Sequence, residues 1–362
     1  MTTILRAEAR LIDIPVETVR TDAMQSFLKQ ETLIVRIETS DGLVGTGYSY
    51  TIGTGGRAVL AMLREHLLPI LPGLDSTRIE AIWQTLAGST RATQVGAITS
   101  LALAAIDTAL WDIASLRAGL PLWKLSGGAM EKAPLYDTEG GWLHLTIDEL
   151  VDNALESQAN GWHGVKVKVG KPRIEEDAAR IGALRDALGP DVDIMVDANQ
   201  SLTAARAIQL AHALEPFQVG WLEEPLPADD LSGHARLAAS TTIPIAVGES
   251  MYSVGHFRNY LEHQAASVIQ VDVARVGGIT PWLKVAHLAE SFNVDVCPHF
   301  LMELHVSLVC AIPNGRYVEH IPQLRGVTTT RLEVRDGHAI APSTPGLGID
   351  WNPDALDALT VA

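Results

Sequence analysis

DVDIMVDAN (191–199), VGWLEE (219–224) and IPIAVGE (243–249) are three short apolar runs that each reach an acidic residue, and those residues, Asp197, Glu223 and Glu249, stand 26 positions apart both times. Such regularity marks a repeated strand–helix unit that delivers one oxygen donor per strand to a common point. If the runs are parallel strands joined by helices, the carboxylates emerge together at the C-terminal face of one sheet, where the active sites of such folds lie. Three converging carboxylates repel one another unless a divalent cation sits between them. A single acidic residue at a strand end reads equally as a helix N-cap or a solvated loop residue. Three at matched spacing point to a metal.

Working outward, the same texture of short apolar runs and amphipathic helices extends from Gly127-Gly128 to about residue 320. Eight runs can be counted: 133–138, 162–169, 192–198, 219–224, 243–249, 267–272, 294–299 and 316–320. Eight strands with intervening helices are what a (β/α)8-type barrel requires. Before them, ILRAEARLIDI, TLIVRIE and LVGTGYSY read as an antiparallel meander, followed by helical patterns to residue 126 that include the Ala- and Leu-rich segment 97–120. The division expected is therefore an N-terminal α+β capping domain at 1–126 and a barrel at 127–320. A segment at 321–362, containing RLEVRDGHAI and PGLGIDW, is expected to return to the cap and complete it.

The 362 residues are 47% apolar and 19% charged, the composition of a globular chain with a large core. A net charge of −16 argues against a nucleic-acid partner, since phosphate contacts need a basic face. It also means that an anionic substrate has to be captured locally, by metal and by individual cations. The first twenty residues mix Asp, Glu and Arg among apolar ones, unlike a signal peptide, and no stretch reaches the ~18 uninterrupted apolar residues of a membrane span. The expectation is a cytoplasmic protein without a membrane partner. Cys297 and Cys310, the only cysteines, lie in apolar surroundings and read as core thiols.

Lys166 and Lys168 in V-K-V-K-V are two apart on a strand and project to the same side. On a barrel strand that side is the interior mouth; on an edge strand they would be a solvated pair. Burial beside a second ammonium disfavours the charged form of a lysine, which suits a general base. Asp197-Ala198-Asn199 repeats the spacing one strand later, so that Asn199 can orient a substrate oxygen. Asp272 and His299 end the sixth and seventh runs, the arrangement in which a carboxylate fixes the tautomer of a catalytic imidazole. His299 alone would read as a structural histidine. Glu319 ends the eighth run. A crowded acidic mouth would raise its pKa and let it donate a hydrogen bond to a developing oxyanion.

The ordered set K-V-K (166–168), D-A-N (197–199), L-E-E-P (222–225), G-E (248–249), Q-V-D (270–272), P-H-F (298–300) and V-E-H (318–320) resembles the mandelate racemase subgroup of the enolase superfamily over essentially the whole chain. The resemblance implies a modified TIM barrel of (β/α)7β type under a capping domain, with one Mg²⁺ on Asp197, Glu223 and Glu249. It implies Lys168 as a base on one face of a small-molecule carboxylate substrate. His299, supported by Asp272, is the acid or base on the other, and Lys166 and Glu319 stabilise the enediolate. Proteins of this kind commonly assemble, so a homo-oligomer, often an octamer, is expected.

Both dehydration and racemisation fit that set. The segments 106–125, 136–144 and 297–305 look most like dehydratases of aldaric acids, of the L-talarate/galactarate type. The early loop TDAMQSFLKQ (21–30) offers polar side chains, which suits a hydroxylated acid. Lys29 and Arg91 are candidates for pairing with a distal carboxylate, against the plainer reading of solvated surface charges. The rival expectations are a racemase or epimerase of an α-hydroxy acid and a non-catalytic carboxylate-binding protein. The latter would be marked by a lost base or ligand, and none is missing.

Overall fold

The structure, a computed structural model, describes residues 2–362. Its N-terminal sheet is antiparallel, with strands β1 (Ile4–Ile14), β2 (Gln30–Thr39) and β3 (Val44–Thr51) in spatial order β1-β2-β3. Between β1 and β2 a small hairpin, Arg20–Thr21 against Ser26–Phe27, reaches over the barrel. Helical turns at 56–70 lead to α1 (Ile79–Ser89) and α2 (Ala97–Ala118). By length and composition α2 would pass for a membrane span, but it is largely buried as the central helix of the cap. Its small residues lie directly on β3. A Cβ added at Gly47 would come within 2.2 Å of the Ala105 carbonyl and 2.3 Å of the Ala109 nitrogen, so only glycine lets strand and helix approach this closely.

Eight strands follow, and each coincides with one of the eight runs read from the sequence, the first beginning one residue before its run. They are β4 (Lys132–Asp137), β5 (Gly164–Lys168), β6 (Asp193–Asp197), β7 (Trp221–Glu223), β8 (Ile245–Val247), β9 (Val268–Ile269), β10 (Asp295–Val296) and β11 (Val318–His320). Neighbours in sequence pair in parallel from β4 to β10. β10 then meets the segment entering β11 through Val296 and Gly315, and β11 pairs in parallel with β4, which closes the barrel. Seven helices alternate with the strands: α3 (Ile147–Ala159), α4 (Ile174–Leu188), α5 (Ala204–Leu214), α6 (Leu231–Ala238), α7 (Val254–Glu262), α8 (Ile279–Ser291) and α9 (Met302–Ala311). This is the (β/α)7β arrangement. Strands covered on both faces need apolar residues on both, which is why they read as continuous runs rather than alternating ones.

The barrel interior is filled below its mouth by a buried layer that includes Tyr136, Met195, Trp221 and Tyr317. The three aromatic rings meet edge-on, at centroid separations of 5.4 to 6.2 Å. The barrel is thus a packed core that seals the site from beneath. Cys297 is part of this layer and Cys310 of a second cluster; both are free, and burial pushes both thiols up to about 12, as core thiols require.

The C-terminal segment divides, where the sequence reading sends all of it to the cap. A hairpin, β12 (Val334–Arg335) and β13 (His338–Ile340), lies antiparallel to the first half of β4, because β11 covers only Leu135–Asp137 and leaves residues 132–134 an open edge. After α10 (Pro353–Ala358) the chain reaches the cap, where Leu11 N–H donates to the Ala362 carbonyl (2.9 Å) and Val361 N–H to that of Leu11 (2.9 Å). Cap and barrel are stitched by Asp107 of α2, whose carboxylate accepts from the Thr280 backbone N–H (2.8 Å) and hydroxyl (2.7 Å) at the start of α8.

Candidate active site

A cavity of about 300 Å³ lies between the barrel mouth and the cap. The period of two along β5 turns Lys166 and Lys168 inward, and both are buried. Lys166 Nζ lies 2.8 Å from Glu223 Oε1, 2.7 Å from Glu319 Oε1 and 3.9 Å from Asp197 Oδ2. Lys168 Nζ contacts Asp197 Oδ2 and sits 5.4 Å from the centre of the Trp142 ring. On the other side of the mouth, His299 Nδ1 is 2.9 Å from Asp272 Oδ2 and Nε2 is 3.2 Å from Glu249 Oε2. The Asp272 contact fixes which nitrogen faces the cavity. Asp272 is itself held by the backbone N–H groups of Ala274 (2.8 Å) and Arg275 (3.2 Å).

Asp197, Glu223 and Glu249 each present an oxygen within 4.8 Å of the others, and all three are buried. Burial, offset only in part by Lys166 and reinforced by Asp197 and Glu319, pushes Glu223 up to about 7. That carboxylate lacks enough positive charge in its surroundings, and a divalent cation would supply it. An all-oxygen, all-carboxylate donor set of this size suits a hard cation such as Mg²⁺.

Two protonation states differ from those the sequence suggests. Glu319 is expected there as a protonated donor. In the structure both of its oxygens accept, Oε1 from the Thr138 hydroxyl (2.6 Å) and Oε2 from the Phe300 N–H (2.7 Å). Although burial opposes its charge, Lys166 and His299 outweigh it and hold the carboxyl well below its usual range. Lys168 is expected with its ammonium disfavoured. Burial does push that way, but Asp197 outweighs it and the ammonium is favoured. For His299, burial is likewise overcome by Glu249 and Asp272, so its imidazolium is favoured.

Asn199 lines the cavity with a left-handed backbone (φ 44°), donates its N–H to Asp197 Oδ1 (2.9 Å) and leaves its buried side-chain oxygen without a partner. Glu224 also reaches the cavity and accepts from Gln200 (2.9 Å). Lys29 and Arg91 are not brought to it. Lys29 lies 3.2 Å from both Asp13 and Glu31 on the cap sheet, and Arg91 is exposed in the turn after α1. The sequence reading misses Tyr50, Thr138 and Arg275. Tyr50 Oη donates to Asp272 Oδ2 at 2.7 Å, and Arg275 stacks over the Tyr50 ring while its Nη1 lies 3.8 Å from Glu249. Thr138 follows the end of β4 and is open to the same strand-end argument as the acids. Tyr50 and Arg275 carry no comparable signal.

Residues 1–127 match the N-terminal domain model of mandelate racemase / muconate lactonizing enzyme, and residues 149–355 match the enolase C-terminal domain-like model. The chain belongs to the enolase superfamily. Within the superfamily it is 38% identical over 323 residues to an L-talarate/galactarate dehydratase of Salmonella typhimurium, which covers 89% of this chain and 81% of that protein. It is 37% identical over 358 residues to a 3,6-anhydro-alpha-L-galactonate cycloisomerase of Streptomyces coelicolor, covering 98% and 99% of the two chains. Among solved structures of the superfamily, the L-talarate dehydratase of Polaromonas sp. JS666, complexed with Mg and L-glucarate, superposes with a TM-score of 0.95 at 38% identity over 100% of this chain and 98% of that one.

Proposed function

We propose that this protein is a Mg²⁺-dependent enzyme that removes the proton α to the carboxylate of an acid sugar and then expels the β-hydroxyl, giving a 2-keto-3-deoxy acid and water. The observation that carries this reading is the placement of two basic side chains, Lys168 on β5 and His299 beyond β10, on different sides of one cavity beside three converging carboxylates. Asp197, Glu223 and Glu249 are the residues that would hold the cation. A cation held there would offset the carboxylate charge that favours the Lys168 ammonium and would polarise the substrate carboxylate, which would make the α-proton more acidic.

Lys168, as the free amine, takes the α-proton and leaves an enediolate. Lys166, fixed between Glu223 and Glu319, sets its positive charge beside the carboxylate on which negative charge develops. His299, oriented by Asp272, delivers a proton to the departing β-hydroxyl so that it leaves as water, and the resulting enol tautomerises to the ketone. Asn199 orients a substrate oxygen with its unpartnered carbonyl. The related proteins support acid sugars as the substrate class: talarate and galactarate are diacids, and anhydrogalactonate is a monoacid. A cytoplasmic setting and a homo-oligomeric state belong to the same proposal.

A second reading is favoured by the cycloisomerase relative, which matches nearly the full length of both chains. With the same two bases, the intermediate is reprotonated, or, where the β-oxygen belongs to an anhydro ring, that ring opens without release of water. Incubation of mono- and diacid sugars with enzyme and Mg²⁺, with semicarbazide detection of keto acids and NMR detection of α-proton exchange in D₂O, separates the two. Keto product from open-chain acids supports dehydration, exchange without it or keto product from anhydro acids alone supports the second reading, and silence in both sinks the α-proton chemistry. Glu249→Gln is expected to weaken Mg²⁺ binding at least about tenfold by calorimetry; unchanged affinity would remove Glu249 from the ligand set.

A further inference from the structure

The cap side of the cavity carries one charged group that nothing in the proposed reaction uses. Asp22, at the tip of the small hairpin, is 8% exposed and lines the cavity. Its Oδ1 accepts from the backbone N–H groups of Met24 (2.6 Å) and Gln25 (2.7 Å), which fixes the side chain in a tight turn. Its Oδ2 is buried and has no hydrogen-bond partner. A buried carboxylate oxygen without a partner, on a residue that lines a cavity, is a strong acceptor.

A second observation concerns the cations. Lys166, Lys168, Arg275 and His299 are the basic side chains of the cavity wall, and each already faces a carboxylate of the barrel: Glu223 and Glu319, Asp197, Glu249, and Glu249 and Asp272 respectively. Arg20, at the base of the hairpin, is engaged by Glu139 and by Gln323. The remaining cap-side wall is built from neutral side chains, among them Met24, Gln25, Phe27 and Ile52. Among the described residues, therefore, no cation of this wall is free to receive a second substrate carboxylate. Such a group would instead approach Asp22, and like charges brought together away from water repel strongly.

We propose that Asp22 is a specificity-determining residue that accepts a hydrogen bond from a hydroxyl on the part of the substrate remote from the reacting carboxylate, so that the site selects monocarboxylate polyols, the aldonate class, over the corresponding dicarboxylate aldarates. This rests on the acid-sugar reading given above and narrows it to one charge class. A hydroxyl satisfies Oδ2, while a carboxylate can only repel it.

The test is binding and turnover of matched aldonate and aldarate pairs of the same configuration, by calorimetry on the Mg²⁺-loaded protein and by keto-acid formation. The wild type is expected to favour the aldonate at least about tenfold in both, the scale of a hydrogen bond to a charged acceptor. Asp22→Asn keeps the oxygen that closes the turn and replaces Oδ2 by an N–H donor, so it is expected to erase or reverse the preference. Asp22→Ser, which keeps a turn acceptor and removes the charge, should also level it. Tighter binding of aldarates by the wild type, or an unchanged ratio in both variants, would overturn the proposal even if dehydration proceeds. A binding preference for aldonates without exchange or product would instead uphold it and sink the catalytic reading.

Discussion

Inside the cap, helix α2 meets strand β3 mainly through glycine, alanine and isoleucine; at the barrel mouth, the buried side chains around the cavity are lysines, acids and a histidine. The two regions are built by opposite means. In the cap, contact itself is the stabilising term, and each methyl is fitted against backbone. At the mouth, each charge costs desolvation that its neighbours offset, and several atoms, such as the side-chain oxygen of Asn199, are left unsatisfied. Residues retained at such cost are held for chemistry. Changes at the mouth should therefore alter rate more than stability, and changes in the cap the reverse.

The largest effect expected is from His299→Asn. Loss of the acid that assists departure of the β-hydroxyl should lower dehydration by about 10³- to 10⁴-fold, with α-proton exchange through Lys168 retained for one epimer and the urea midpoint near that of the wild type. Full turnover in that variant would take His299 out of the mechanism. A smaller effect is expected from a carboxyl buried where the cap meets the barrel. Burial, only partly offset by the Thr280 hydrogen bonds, raises Asp107 from 3.8 to about 7. The folded state binds that proton more tightly than the unfolded one. Its stabilising contribution is thus complete below pH 3.8 and lost as pH rises through about 7. Unfolding free energy should fall by roughly 2 kcal/mol or more between pH 5 and 8, since each tenfold difference in proton affinity is worth about 1.4 kcal/mol, and Asp107→Asn should flatten that slope. Equal slopes in the two proteins would refute the assignment.

Gly47→Ala sharpens the contrast from the other side. The methyl would meet the backbone of Ala105 and Ala109, which has no side chain to move aside, so a loss of about 3 kcal/mol is expected with kcat/KM of the folded fraction unchanged. A fall in kcat/KM without loss of stability would erase the division between the regions. The smallest effect is expected at Tyr50, which belongs to both: it rises from β3 of the cap and donates to Asp272. Tyr50→Phe should lower kcat by about tenfold at little cost in KM or stability, since only the orientation of the Asp272–His299 pair is relaxed. A change in KM alone would make Tyr50 a binding residue instead.

The barrel is legible because parallel strands buried on both faces leave apolar runs, and because strand ends at one face carry the polar residues, as Asp197, Glu223 and Glu249 do at even spacing. Placement follows from periodicity; protonation does not. Whether Glu319 keeps a proton depends on Lys166, Thr138 and Phe300, which converge from three other segments of the chain. The cap-side wall is harder still. Lys29 looks like a partner for a distal carboxylate because it is basic and near the hairpin, but Asp13 and Glu31 on the adjoining strands claim it. The charge that does face the cavity, Asp22, is marked only by which of its two oxygens the turn uses. The terminal hairpin escapes a sequence reading for a related reason: nothing local in RLEVRDGHAI tells that β4 has an edge to spare.

That edge has a consequence for assembly. The first barrel strand obtains its upper partner from residues 318–320 and its lower one from residues 338–340, and the first cap strand is completed by residues 359–362. Early strands are thus finished by late ones. Such closures span long stretches of chain and are slow to find. A ribosome-bound chain halted before residue 338 is expected to hold a barrel with one raw edge, open to protease and to other chains, and to become resistant only when the last segments arrive.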